Sequence, residues 1–339
     1  MKRIYSAIFG ALLIISLSCE ENFSPKQEFE EQYIVSCVIG IGSESSSFSP
    51  SLYLTKSYDV DGLNPENGKT DPAVSGALGI IAYKYGNSYS LYEDSTIVYH
   101  PTIPDSVIYV HYNRYNNPYI IYSGGNIPVK YQTLQLNITL PNGKKLSSET
   151  ELPRGIFLEY SYNFPHGITS KIDQWKYGNS WDITWTTEEN QIYYSELKLY
   201  YYIENGSTKT YKSVEVPLQF VKNGNITEAV YPKFNNPGKL EYKYDALTTV
   251  LQNISKDVTD KNSIVIQNLK INITELDKEL SAYYSSLNGF MDNYSVRLDE
   301  QVYSNINGGM GIFGSYRTTS VTHLVDKTFA TSFGYRTNY

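Results

Sequence analysis

The sequence predicts a mainly β protein, and three observations carry that expectation. Short runs rich in β-branched and aromatic residues, such as "YIVSCVIG" (33–40) and "YQTLQLNITL" (131–140), recur along most of the chain. Clusters of Gly, Pro, Asn and Asp punctuate them. Helical periodicity is confined to two stretches in the last third. The spacing predicts two immunoglobulin/fibronectin-like β-sandwiches in tandem, over residues 33–153 and 154–339, with one or two short helices in the second.

In the first unit the strand-like runs are 33–40, "SLYLTKSY" (51–58), "LGIIAYKYG" (78–86) and "SYSLYE" (88–93). Then come "SVIYVHYN" (106–113), "YIIYS" (119–123) and 131–140. Gly86-Asn87 predicts a hairpin between 78–86 and 88–93, and Pro141-Asn142-Gly143 another between 131–140 and "KKLSSETELP" (144–153). Pro153-Arg154-Gly155 marks the joint. Beyond it lie "SWDITWTT" (180–187), "SELKLYYYIENG" (195–206) and "YKSVEVPLQFV" (211–221). Trp181, Ile183 and Trp185 alternate onto one face, as a buried sheet face requires. In "YDALTTVLQNI" (244–254) Leu247, Val250 and Leu251 share a helical stripe. In "TELDKELSAYYSSLNG" (274–289) the stripe is Leu276, Leu280, Tyr284 and Leu287, with Thr274 or Asp277 to cap it and Gly289 to end it. That helix is expected against the second sandwich. Further β-like runs and a polar tail, "TSFGYRTNY", close the chain.

The first residues give an address. Met1-Lys2-Arg3 is basic, and the uncharged apolar run to Leu17 suits a secretory signal but is short for a bilayer span of roughly 20 residues. Residues 1–18 are therefore a lipoprotein signal peptide, with Ser18 just before Cys19, although Ser16 stands where leucine is more usual. Cys19 is the expected lipidation site. Two or more acyl chains anchor a protein firmly where one holds marginally. Ordinary secretion with Cys19 a bystander is the alternative. Residues 19–32 are acidic, aperiodic and contain Pro25, which makes a flexible tether. Glu20 and Glu21 resemble a lipoprotein surface-export signal, and they equally suit a solvated tether.

Composition narrows the partners. Net charge is −7, and no basic cluster exists, so nucleic acid is not expected. Of two cysteines only Cys37 remains after acylation of Cys19, so no internal disulfide is available, and its apolar context makes it a small buried hydrophobe. The 34 tyrosines suit half-buried strands and binding faces alike. "GMGIFG" (309–314) has the dinucleotide fingerprint, but strand-forming residues follow it, and Asn307-Gly308 reads instead as a tight hairpin turn. The loop 59–71 carries Asp59, Asp61 and Asn64 among other oxygen donors without EF-hand spacing, so it reads as a solvated loop rather than a calcium site. His100, His111, His166 and His323 show no ligand spacing, and no metal or cofactor is expected. No catalytic constellation is legible. Trp175, in a looser context than Trp181 or Trp185, joins Asp59, Asp61 and Asn64 as the residues to suspect for glycan or peptide contact.

Several stretches resemble one family across nearly the whole chain. They are "SCEE", "YIVSCVIG", "LYLTKSYDVDG", "DPAVSGALGIIAY", "LNITLPNGKKLSSETELP", "ELSAYYSSLNG" and "VYSNINGGMGIFGSY". They are similar to Bacteroidota lipoproteins carrying domain of unknown function 4249. The resemblance implies an outer-membrane lipoprotein, facing the exterior and accessory to a TonB-dependent receptor. It carries over no catalytic residue. The expectation is a non-enzymatic surface protein, with a free-standing adhesin or glycan-binding module as the alternative.

Overall fold

The computed structural model describes residues 30–57, 73–94, 111–112, 118–119, 121–160, 180–224, 226–234, 238–288 and 303–339. Within them the chain is mainly β. The strands are β1 (Tyr33–Ile41), β2 (Ser47–Phe48), β3 (Ser51–Lys56), β4 (Leu78–Tyr83), β5 (Ser88–Asp94), β6 (His111–Tyr112) and β7 (Pro118–Tyr119). Next come β8 (Ile121–Ser123), β9 (Ile127–Pro128), β10 (Thr133–Thr139), β11 (Lys145–Glu151), β12 (Leu158–Tyr160), β13 (Ser180–Trp185) and β14 (Tyr193–Asn205). The rest are β15 (Thr208–Glu215), β16 (Gln219–Asn223), β17 (Ile226–Val230), β18 (Lys239–Lys243), β19 (Ile264–Leu276), β20 (Met310–His323) and β21 (Arg336–Thr337). Helices α1 (Tyr244–Asn253), α2 (Lys278–Asn288) and α3 (Lys327–Ser332) complete the set with a 3-10 turn at Lys261–Ser263.

One twelve-stranded sheet runs through the molecule in the order β11-β10-β4-β5-β8-β3-β1-β20-β19-β14-β15, with β21 beside β19. Neighbours are antiparallel except β1–β20 and β19–β21. The expected hairpins form: β4 pairs β5 across Gly86-Asn87, and β10 pairs β11 across Pro141-Asn142-Gly143. The path curls so that β11 returns to the segment before β20, where Ser147 bridges Asn307.

Two apolar cores form along this sheet. The first gathers inward positions of β1, β3, β4, β10 and β11, among them Val35, Cys37, Leu52, Ile81 and Leu136, and takes in Phe313 from β20. The second lies between the far part of the main sheet and the three-stranded sheet β12-β13-β18, with α1 and α3 closing it. Trp181, Ile183 and Trp185 alternate into it as the sequence requires and meet Leu197, Leu199, Ile271 and Ile273. His323 of β20 stands edge-on to Trp181 at 5.3 Å, and burial lowers its pKa to about 4, so it serves this core as a neutral ring.

Cys37 is fully buried, and desolvation pushes its thiol up to about 12. The expected result is negligible reaction with a thiol reagent in native buffer and full reaction in denaturant, read by mass.

Four local expectations are corrected. The run 274–289 is not one helix: Thr274, Glu275 and Leu276 finish β19, and α2 starts after Asp277. Helix α2 seats on β20 and β11, where Leu280 joins Leu276, Ile192 and Ile312 in a third apolar cluster beside the second core. Asn307-Gly308 is a turn, but only Gly308 has a left-handed φ, +83°, and residues 303–306 do not pair with β20 as a strand. Asn305 holds them instead, its Oδ1 accepting from Phe313 N at 2.9 Å and its Nδ2 donating to Phe313 O at 2.7 Å. The stretch read as a polar tail is packed instead, since Phe333 and Tyr335 join the second core and β21 pairs with β19.

Candidate functional site

Where β11 and β19 end and α2 begins, the surface opens into a cleft of about 520 Å³. It sits between the two cores. Six carboxylates line it, from Glu149, Glu151, Glu188, Glu275, Asp277 and Glu279, against the cations Lys84, Arg154 and Lys278. Among the described lining residues there is no histidine or cysteine, so what the cleft offers is negative charge and hydrogen bonding.

Asp277 is the structural centre of this region and is almost wholly buried. Its Oδ2 accepts from Thr150 Oγ1 at 2.5 Å, Ser315 N at 2.5 Å and Ser315 Oγ at 2.7 Å. Its Oδ1 caps α2 by accepting from Leu280 N at 2.6 Å. One carboxylate thus ties β11, β20 and α2 together. Burial pushes it up to about 6, against the pull of those donors. Glu275, two residues earlier, accepts from Gly155 N at 3.2 Å, and burial raises it too.

Both shifts carry the same stability sign. The folded chain holds these protons more tightly than the unfolded chain, so stability falls as pH rises through the window from about 4 to about 6. Asp277 alone contributes about 2–3 kcal/mol of that decline. Denaturant titrations at pH 4.5 and 7 are expected to show the wild-type slope and a flatter one for Asp277→Asn.

The rim is ordered by local bonds. Tyr193 Oη donates to Gln191 Oε1 and accepts from Glu188 N, both at 2.9 Å. Tyr303 donates to the Glu279 carboxylate, and burial, then this bond, raises its phenol pKa. Lys84 pairs with Glu149 at 3.4 Å. One turn along α2 from Glu279, a row of aromatic rings begins: Tyr283 to Tyr284 at 6.2 Å, Tyr284 to Phe234 at 5.5 Å and Phe234 to Tyr194 at 6.1 Å between centroids. Tyr284 and Phe234 are about 40% exposed, so part of each side chain meets solvent beside its ring neighbours. Carboxylates beside such rings suit a ligand with hydroxyl or cationic donors and flat apolar faces.

Sequence reasoning named only Asp277, as a cap, and Pro153 and Arg154, as part of the joint, among the residues that line the cleft. A signal was present: polar Ser148 and Thr150 fall in phase with Leu146 on β11, Glu275 with Ile271 and Ile273 on β19, and Ser315 with Phe313 on β20. Polar residues on an inward parity mark a seam. The residues singled out from sequence, Cys19, Glu20, Glu21, Asp59, Asp61, Asn64 and Trp175, lie outside the described residues. No helix among the described residues is long and apolar enough to cross a membrane.

Comparison with known proteins adds little chemistry. No curated protein matches the chain. A solved structure, a DUF4785 family protein from Legionella pneumophila, is 10% identical, with a TM-score of 0.19. The match covers 72% of this chain and 52% of that one, so the chain spans about half of its length. A family model described as domain of unknown function DUF4249 matches residues 20–322. The chain belongs to the DUF4249 family.

Proposed function

We propose that the chain is a non-enzymatic lipoprotein of the cell surface, anchored in the outer membrane through Cys19 and accessory to a TonB-dependent transporter. One observation carries this reading. The apolar signal-like run ends at Cys19-Glu20-Glu21, and the family domain begins at residue 20, directly behind that cysteine. The two apolar cores support the finer reading of two immunoglobulin/fibronectin-like sandwiches, and the fit to a Bacteroidota export signal rests on the two acids. A lipid tether keeps the body beside its receptor at high effective concentration, so weak contacts suffice. Affinity purification from detergent-solubilised membranes is expected to recover an outer-membrane receptor. Recovery of none counts against the accessory role.

A second reading is favoured by the acidic cleft and the adjoining rings: a surface module that binds a glycan or peptide, with or without a receptor. A glycan array probed with protein lacking residues 1–19 is expected to give signal that Phe234→Ala and Tyr284→Ala reduce at least tenfold. A silent array removes the glycan form of it.

A further inference from the structure

From the strand directions we infer that the end of the body where β1 starts rests against lipid headgroups, with the second core pointing away from the bilayer. The inference rests on the anchoring at Cys19 and adds an orientation and a lipid-facing surface to it.

The geometry begins with β1. Strand β20 runs parallel to it, Ile34 beside Met310 and Gly40 beside Tyr316, and then continues into the second core. β20 has 14 residues, a length of about 45 Å at roughly 3.3 Å per residue. β19 and β14 extend further still, to the β14–β15 tip at Asn205 and Thr208. The chain from Cys19 therefore enters at one extreme, and the β14–β15 tip marks the other. Thirteen residues separate Cys19 from β1, and a coil of that length has a typical span of only about 20 Å.

The surface at the entry end is contiguous. Asn142 Nδ2 donates to Tyr33 Oη at 3.0 Å, and Lys144 Nζ lies 5.3 Å from the centre of the same ring. Pro141 packs by Gly76, two residues before Leu78, and Gly309 packs against the Tyr33 carbonyl beside Met310. Leu78 is 50% and Met310 44% exposed, while Lys144 and Lys145 are exposed on the turn between them. Two nearby acids are engaged, Glu31 with Lys56 at 3.0 Å and Glu93 with Ser75 and Gly76, while Glu30 is exposed. Two apolar side chains flanking two cations suit a zwitterionic and anionic headgroup layer. The net charge of −7 disfavours laying the rest of the body on an anionic surface.

The test uses the full lipidated chain in vesicles of phosphatidylethanolamine and phosphatidylglycerol, three to one, carrying nitroxide headgroup quenchers. A fluorophore is placed on Leu78→Cys at the entry end or on Ser207→Cys at the far tip, both exposed, with Cys37 buried and unlabelled. Quenching at position 78 is expected to exceed that at 207 at least threefold, and Lys144→Glu with Lys145→Glu to halve it without changing flotation. Equal quenching, or more at 207, in protein that floats with the vesicles overturns the orientation and leaves the anchor standing. Protein that does not float at all overturns the anchor and the orientation with it. Unchanged quenching in the double lysine variant removes the charge contribution.

Discussion

Gly311→Ala is expected to open the pairing between β1 and β20, with a loss of at least ~4 kcal/mol in stability. A Cβ on Gly311 would lie 1.9 Å from the carbonyl oxygen of Val35, and the residue has φ +115°, where side chains are strained. The neighbour is backbone of a central strand, so no rotamer change relieves the clash. The strands must part or the turn before β20 must rebuild. Because Cys37 pairs with Phe313 two residues further along the same ladder, its thiol reports the opening. Thiol labelling in native buffer should accelerate by orders of magnitude over wild type, alongside the fall in melting temperature. A Gly311→Ala protein that melts within a degree of wild type with Cys37 still protected would mean that this close parallel approach is wrong.

Asp277→Ala is the second large effect. It strands three donors at once, those of the Thr150 hydroxyl, the Ser315 amide and the Leu280 amide, and it removes the cap of α2, while the Ser315 hydroxyl keeps the Glu151 carbonyl as acceptor at 3.0 Å. Each buried donor left without an acceptor costs about 1–3 kcal/mol, partly relieved where water enters, and a lost cap about 1 kcal/mol. The expected sum is about 3–5 kcal/mol. Thr150→Val removes one donor together with its need and should cost no more than about 1 kcal/mol. A drop in melting temperature several times larger for Asp277→Ala than for Thr150→Val is the predicted pattern. Equal drops would show that the carboxylate does not join the three elements.

The local parts of this fold were legible because their signals are local. Two turns with their flanking alternation gave both hairpins, Trp181–Trp185 gave an inner face, and the four-residue spacing of Leu247 and Leu251 gave α1. The central strand β19 escaped notice for a physical reason. Its buried residues are Ile264, Val265 and Ile266 in a row, then Leu269, Ile271, Ile273 and Glu275 in alternation, ending with Leu276, so no single alternation runs through the strand. The pairing with β14 skips there: Asn268 faces Tyr200 and Ile266 faces Tyr201, which is a bulge at Gln267. A bulge hides a strand from a period-two reading. The parallel pairing of β1 with β20 left no local mark, since parallel neighbours are joined by long crossovers and carry no turn between them. The cleft was hidden likewise, because Glu151 and Glu275 are adjacent only once β11 and β19 converge on β20.

The whole functional reading depends on Cys19, and intact-mass and N-terminal peptide analysis of protein purified from native membranes tests it most directly. The account predicts a mature chain that begins at Cys19 and carries the added mass of two or three acyl chains on that residue. A chain that begins elsewhere, or a Cys19 thiol without lipid in membrane-derived protein, would contradict it.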